Sequence, residues 1–415
     1  MCAAPRRKRV LSGMRPTGRL HIGHYFGALK NWIAMQEEYE CFYFVADWHA
    51  LTSDYADSSQ IGQNTIEIAT DWLASGLDPQ KSTFFVQSQV PEHAELHVLL
   101  SMVTPLGWLE RVPTYKEQLE NVKGKDLHTF GFLGYPVLQS ADIVMYDADF
   151  VPVGADQESH VELSREIVRR FNFHFGGKVR PDLSAKQLET ACGIWIANLP
   201  PGRYEGSAVS EPRILLEEAR SELGLEQYLS VIRKHSEYFT SPDVLAEPQV
   251  LLTETPRIPG LDGRKMSKSY GNAITLSEED EAIRGKTKVM MTDPARKRRS
   301  DPGNPDICPA YDWHKLFSPA ETLQWAAAGC RTAAIGCIEC KAAMAENLIK
   351  WIAPVRARRR EFEAQPERVR QILAEGSSHA QGVARQTMGR VRDAVFGAGQ
   401  PAPAPSATAS SGAGN

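Results

Sequence analysis

The segment Ser12-Gly13-Met14-Arg15-Pro16-Thr17-Gly18-Arg19-Leu20-His21-Ile22-Gly23-His24 constrains this chain more than any other feature. It follows a short apolar run, Val10-Leu11, and leads into a helical pattern through Tyr25 to Glu38, so it reads as a strand, a Gly- and Pro-rich turn and a helix. The start of a helix offers unpaired N–H groups and a positive dipole end. Gly13 and Gly23 let a ligand approach the backbone, and His21 and His24 can donate to phosphate oxygens. The turn is therefore expected to face a nucleotide.

The same grammar repeats downstream. Cys41 to Ala46 and Phe84 to Gln87 read as buried strands, and between them Ile61 to Ser75 sets Ile61, Thr65, Ile68, Ala69 and Trp72 on one helical face before Leu77-Asp78-Pro79 stops it. Strands alternating with helices predict an α/β fold with a parallel, Rossmann-like doubly wound sheet, whose ligands sit beyond the carboxyl ends of the strands. The expected layout is a basic extension over 1–9, the first part of the sheet domain over 10–175, an insertion over 176–247 with a helix at Ile214 to Leu223, a closing sheet segment over 248–277, a separate α-helical domain over 278–396 and a disordered tail over 397–415.

A second motif, Lys265-Met266-Ser267-Lys268-Ser269, lies between Gly260, Gly263 and Gly271, which makes it a mobile loop bearing two ammonium groups. HIGH after the first strand and KMSKS after the last sheet segment together resemble the class I aminoacyl-tRNA synthetases. Within that class the runs SGMRPTGRLHIGHYFGALKNW, YPVLQSADIVMY (Tyr135 to Tyr146) and VPVGADQ (Val151 to Gln157) are similar to the tryptophan-specific family. The resemblance covers about residues 10–175 and 250–395. It departs at His24, where many tryptophan enzymes have Asn, and at Gln139, where they often have Met and the tyrosine-specific sister family has Gln.

The resemblance implies ATP-driven formation of tryptophanyl-adenylate and pyrophosphate, then transfer of tryptophan to the 3′-terminal ribose of tRNA(Trp). It puts His21, His24, Lys265 and Lys268 in catalysis. It puts Arg15, Pro16, Thr17, Gly23, His24, Gly154, Ala155, Asp156, Ile258 and the five KMSKS residues Lys265, Met266, Ser267, Lys268 and Ser269 at ATP, with Mg²⁺ on the phosphates. Leu11, Gly13, Tyr135, Gln139, Asp142, Val151, Val153 and Gln157 are implied to enclose tryptophan, with Asp142 receiving the indole N–H. A carboxylate suits that donor-only group, and an unpaired Asp would be costly in so apolar a run. Tyrosine enzymes carry Tyr at the position of Leu11, and leucine leaves a phenol unanswered while giving an indole an apolar wall. A tyrosine ligase and a catalytically silent, RNA-binding relative are the alternatives; the second is expected to have lost the histidines and lysines that are present here.

Cys308, Cys330, Cys337 and Cys340 hold four of the seven cysteines within 33 residues, and such clustering suggests one metal centre. Spacing alone fits a Cys₄ zinc site or a [4Fe–4S] cluster, and some tryptophan enzymes carry the cluster at nearly this spacing. Two basic groups, Lys286 to Arg299 and Arg356 to Arg360, are candidate tRNA phosphate contacts. With 47 Lys and Arg against 51 Asp and Glu, any such contact has to be local, and a general basic coat is excluded. No run of about 18 apolar residues occurs, so no membrane partner is expected. A cytoplasmic homodimer completes the expectation.

Overall fold

The computed structural model describes residues 6–112, 115–116, 126–154, 158–180, 182–200, 212–253 and 258–397. Five strands form one parallel sheet: β1 (Arg9–Met14), β2 (Glu40–Val45), β3 (Ser82–Val86), β4 (Phe150–Val153) and β5 (Gln249–Leu252), in the order β3-β2-β1-β4-β5. The doubly wound sheet expected from the alternation is present. The chain runs outward from β1 to β3, then returns to place β4 on the other side of β1, so a crevice opens beyond the carboxyl ends of β1 and β4. β4 and β5 have four residues each, too few for their periodicity to stand out.

Side chains alternate between two apolar layers, as strand geometry requires. Val10, Tyr43, Val45, Phe84 and Val86 face one layer with Trp32, Ile68 and Trp72. Leu11, Phe42, Phe44 and Phe85 face the other with Leu96, Leu100, Ile143, Val144 and Ile167. Burying each such large side chain contributes roughly 1.5–3 kcal/mol. The helix Ile61–Ser75 ends as expected, although Gly76 makes the stop: it takes the left-handed φ of 114° that closes the last turn.

Among its described residues the insertion holds three helices, where the sequence predicts one at Ile214 to Leu223: Ala185–Asn198, Pro212–Leu223 and Leu225–Lys234. Trp195 stacks on Tyr228 at 5.1 Å and, with Ile232 and Phe239, centres a small core of its own. Pro200 lies just past the end of the first helix. Its start was written in the sequence: Ser184 accepts from the Gln187 N–H while the Gln187 side chain reaches back to the Ser184 N–H.

The C-terminal helices Cys337–Glu363 and Pro366–Phe396 do not stand apart as a separate layer. Leu348, Ile349 and Ile352 join the first apolar layer of the sheet, and Ala380, Ala384 and Met388 join the second. The second helix also covers the free edge of β3, where Ser377 Oγ accepts from the Val86 N–H at 3.2 Å. A Cβ at Gly376 would overlap the Phe84 carbonyl oxygen. Gly376→Ala is therefore expected to force the helix off the strand and cost about 1–3 kcal/mol, read as a lower denaturation midpoint; an unchanged midpoint would refute this packing.

Candidate active site

A cavity of about 400 Å³ opens at the carboxyl ends of β1 and β4, where the strand order reverses. β1 supplies Leu11, Ser12 and Gly13, and β4 with its following residue supplies Val151, Pro152, Val153 and Gly154. A third wall is one face of the helix Phe130–Met145, since Tyr135, Gln139 and Asp142 recur at i, i+4 and i+7. Gly13 has to be glycine: a Cβ there would run into the Phe44 ring.

Asp142 is buried at the base of this cavity. Oδ1 accepts from Gln87 Nε2 at 2.8 Å and lies 2.6 Å from His93 Nδ1, while Oδ2 lies 2.8 Å from His49 Nε2. Burial pushes the carboxyl group up, but the hydrogen bonds from His49 and His93 outweigh it and hold Asp142 at about 2. The group is therefore ionised near neutral pH. His93 Nε2 lies 2.7 Å from Tyr146 Oη, so both ring nitrogens of His93 are engaged.

His49, Gln87, His93 and Tyr146 escaped the sequence reading. The first three lie just past the carboxyl ends of β2 and β3, in Asp47-Trp48-His49 and Gln87 to His93. The rule that ligands gather at those ends was the available signal.

A second recess of about 100 Å³ shares Ser12, Gly13, Pro152, Val153 and Gly154 with the first, and Gly27 and Asn31 face it from the helix after HIGH. His21 and His24 stand beside this turn with their rings stacked at 3.6 Å. Each Nδ1 accepts the other residue's backbone N–H, at 3.3 Å and 3.2 Å. Burial, then the Lys268 ammonium, lowers His21 to about 4; burial, then His21 and Lys268, lowers His24 to about 3. Both rings are thus neutral near pH 7, with Nδ1 occupied as acceptor and Nε2–H left as the donor. A Cβ at Gly23 would come within 2.9 Å of His21 Nδ1, so the glycine permits the pairing.

The two motifs, far apart in sequence, meet through the backbone. Ile22 N donates to Ile274 O at 3.0 Å and Leu276 N to Leu20 O at 2.8 Å. Lys268 Nζ donates to Arg19 O at 2.9 Å and to Thr17 O, which seats the KMSKS loop on the HIGH turn. Gly263 (φ 78°) and Gly271 (φ 63°) bound the loop, and Asn272, not anticipated, ties it by accepting from Ser267 N and donating to Lys265 O. Met266 is buried near Gly23. Lys265 stays exposed and Ile258 packs in the core, so of the loop lysines it is Lys268 that reaches the turn. Ala155, Asp156 and Gln157 lie outside the described residues.

The four clustered cysteines occupy the starts and ends of three successive helices, Pro309–Phe317, Ala320–Arg331 and Cys337–Glu363. Burial, then the nearness of Cys308, Cys330 and Cys337, pushes the Cys340 thiol up to about 12. Arg296 Nη1 donates to Cys330 Sγ at 3.8 Å, and His314 Nε2 lies 3.3 Å from Cys340 Sγ. Among the described residues, however, no group of three or more His, Cys, Asp or Glu is placed to hold a metal ion. The thiols are neighbours without forming a ligand set, which would need the sulfurs deprotonated and aimed at one point.

The basic groups also divide. Arg356 bonds Glu278 O and Asp280, Arg358 bonds Ala74 O, Arg359 bonds Glu67 and Asp71, and Arg360 bonds Glu279. Arg356 and Arg359 are buried against their partners, while Arg358 and Arg360 are exposed. Arg296 is likewise buried, whereas Lys288, Lys297, Arg298 and Arg299 remain exposed.

The family described as tRNA synthetases class I (W and Y) matches residues 4–186 and 225–353. A tryptophan–tRNA ligase of Ralstonia nicotianae is 49% identical over 402 residues, covering 94% of this chain and 98% of that protein. The tryptophan–tRNA ligase of Thermotoga maritima is 43% identical over 389 residues, covering 93% and 98%. The crystal structure of tryptophanyl-tRNA synthetase from Campylobacter jejuni complexed with ADP and tryptophan superposes with a TM-score of 0.71 at 28% identity, covering 93% of this chain and 98% of that one.

Proposed function

Because the chain belongs to the class I tRNA synthetases of the tryptophan and tyrosine group, we propose that its 400 Å³ cavity seats L-tryptophan with the indole N–H on Asp142 and the carboxylate toward the HIGH turn. The activity is that of a tryptophan–tRNA ligase. The tryptophan carboxylate attacks the α-phosphorus of ATP, pyrophosphate leaves, and a terminal ribose hydroxyl of tRNA(Trp) then takes tryptophan from the adenylate. No covalent nucleophile of the protein is required, so the side chains act by positioning and by neutralising charge.

The single observation that carries the site assignment is the ionised, fully buried Asp142 in a cavity that adjoins the HIGH turn. Tyr135, Gln139, Leu11, Val151 and Val153 enclose the amino acid around it, with Gln157 completing the pocket. Arg15, Pro16, Thr17, Gly154, Ala155, Asp156 and Ile258 belong to the nucleotide side. The neutral Nε2–H groups of His21 and His24 donate to phosphate oxygens, and Lys268, with Lys265, balances the leaving pyrophosphate. Mg²⁺ is expected with the nucleotide, held chiefly by its phosphates. ATP–pyrophosphate exchange measured with tryptophan and tyrosine separately is the test: exchange with tryptophan supports the assignment, and exchange with tyrosine alone overturns it.

Finer features follow as part of the same reading. A second copy of the chain would cover the exposed apolar side chains Val98, Met102, Leu106 and Phe130, giving a homodimer. The exposed Lys288, Lys297, Arg298 and Arg299 are basic residues open to tRNA phosphates. The described residues include no helix long and apolar enough to cross a membrane, and the cytoplasm is the proposed location.

For the cysteines, four sulfurs flanked by Arg296 and Lys341 are the right donor set for a soft metal, since the two cations offset thiolate charge. Cys308, Cys330, Cys337 and Cys340 would hold a [4Fe–4S] cluster. Protein purified without oxygen is expected to be brown, contain about four irons per chain and lose the colour in Cys337→Ser or Cys340→Ser while retaining tryptophan activation. Zinc without iron would replace the cluster by a Cys₄ zinc site; four titratable thiols and no metal would leave only core cysteines.

A further inference from the structure

Arg359 is the most deeply buried charge on the C-terminal helices, with no exposed surface, and it touches none of the residues that line the cavity. Taking a guanidinium out of water costs more than one ion pair commonly repays, and an apolar residue would pack two helices at lower cost. Here it is met by three carboxylates: Arg359 bonds Asp71 and Glu67 on the helix Ile61–Ser75 and, through Nε at 3.0 Å, Glu363 on its own helix. Burial works against its charge, but Asp71, Glu67 and Glu363 outweigh burial and keep it charged.

What the charge holds lies next to the HIGH motif. The second oxygen of Asp71 accepts the Leu20 N–H at 2.6 Å, one residue before His21. Glu67 accepts from Arg19 Nε at 3.0 Å, and Glu363 lies 3.4 Å from Arg19 Nη2. Lys268 also donates to the carbonyls of Thr17 and Arg19. The segment from Thr17 to Leu20 is thus held both by the KMSKS lysine and by a buried ionic cluster whose centre belongs to the helix Cys337–Glu363.

We propose that Arg359 is a positioning residue for ATP: it fixes Asp71, Asp71 fixes the Leu20 backbone, and the HIGH histidines are thereby held where the phosphates bind. This rests on the reading of that turn as the nucleotide seat. Without Arg359, Asp71 is a buried carboxylate lacking its cation, and it must either take up a proton or leave the Leu20 N–H. A small displacement of a positioning group is enough to lower the rate strongly.

The test compares wild type with Arg359→Met, Arg359→Lys and Glu363→Gln in ATP–pyrophosphate exchange, with KM determined for ATP and for tryptophan separately and folding followed by denaturation midpoint. Arg359→Met is expected to lower kcat/KM for ATP at least about tenfold while KM for tryptophan stays level. Arg359→Lys should recover part of the loss, and Glu363→Gln, at the partly exposed rim, should raise KM for ATP by less. If Arg359→Met does not fold, the lysine and Glu363 variants decide the question. Equal changes for ATP and tryptophan, or loss of folded protein with unaltered KM for ATP in the variants that fold, would overturn the proposal and leave a purely structural ion cluster. Failure of wild type to exchange at all would instead refute the nucleotide seat itself.

Discussion

Lys268→Ala is expected to slow tryptophan activation by roughly a hundred- to a thousandfold, the size of effect seen when one preorganised electrostatic donor is removed from a site of developing charge. In the structure Lys268 is half-buried, with burial lowering its pKa, and its ammonium rests on the carbonyls of Thr17 and Arg19. Neutral carbonyls are weaker partners for an ammonium than phosphate oxygens, so the group is poised to exchange them for the pyrophosphate as negative charge leaves the α-phosphorus. The contact strengthens along the reaction, which places the loss in kcat more than in binding. KM for tryptophan should be level, because Lys268 does not line the cavity around Asp142. Lys265→Ala, at an exposed position, is expected to have the smaller effect. A rise in KM for ATP with kcat intact would show that Lys268 merely holds ATP in the ground state.

How much of this was legible in sequence depended on the range of the interaction. Alternation of strands with helices is local, and the parallel doubly wound sheet followed directly from it. HIGH and KMSKS were equally visible, because glycines, histidines and lysines at fixed spacing are local patterns. Their meeting was not, since the bonds from Ile22 to Ile274 and from Leu276 to Leu20 join segments whose separation leaves no periodic trace. His93 and Gln87 were missed for the same reason: each looks like an ordinary polar residue until the fold brings it to Asp142. The arginines from Arg356 to Arg360 misled in the opposite sense. A basic run suggests an exposed face, and Arg358 and Arg360 are exposed, but Arg356 and Arg359 are buried against carboxylates on helices that only the folded chain sets alongside.

The cysteines show where local pattern stops short of geometry. Their spacing predicts a shared centre, and the chain does bring the thiols close enough for Cys308, Cys330 and Cys337 to raise Cys340. Closeness is set by helix packing, but a ligand set also requires deprotonated sulfurs aimed at one point, and that is a property of the bound state.

Asp142→Asn is expected to reduce kcat/KM for tryptophan about ten- to a hundredfold with KM for ATP unchanged, since a hydrogen bond to a charged acceptor is worth roughly 1.5–3 kcal/mol and 1.4 kcal/mol is a factor of ten. The substitution preserves shape, so the loss reports the contact and not a cavity. With His93 and Gln87 on Oδ1 and His49 on Oδ2, the carboxylate has no freedom to turn, and its remaining lone pair is aimed by the protein. The indole N–H can meet that lone pair without reorganisation. An asparagine in the same grip can present its NH₂ group where the acceptor was, setting donor against donor. The sharper readout is a tryptophan analogue in which sulfur replaces the indole N–H: wild type should strongly prefer tryptophan, and Asp142→Asn should lose most of that preference. Because Asp142 is held at about 2, its anion persists over the whole neutral range. The preference of wild type for tryptophan over the sulfur analogue should therefore be flat between about pH 6 and 8 as far as this carboxylate sets it, some four units above its pKa. An unaltered preference in Asp142→Asn would mean that the indole N–H lies elsewhere in the cavity.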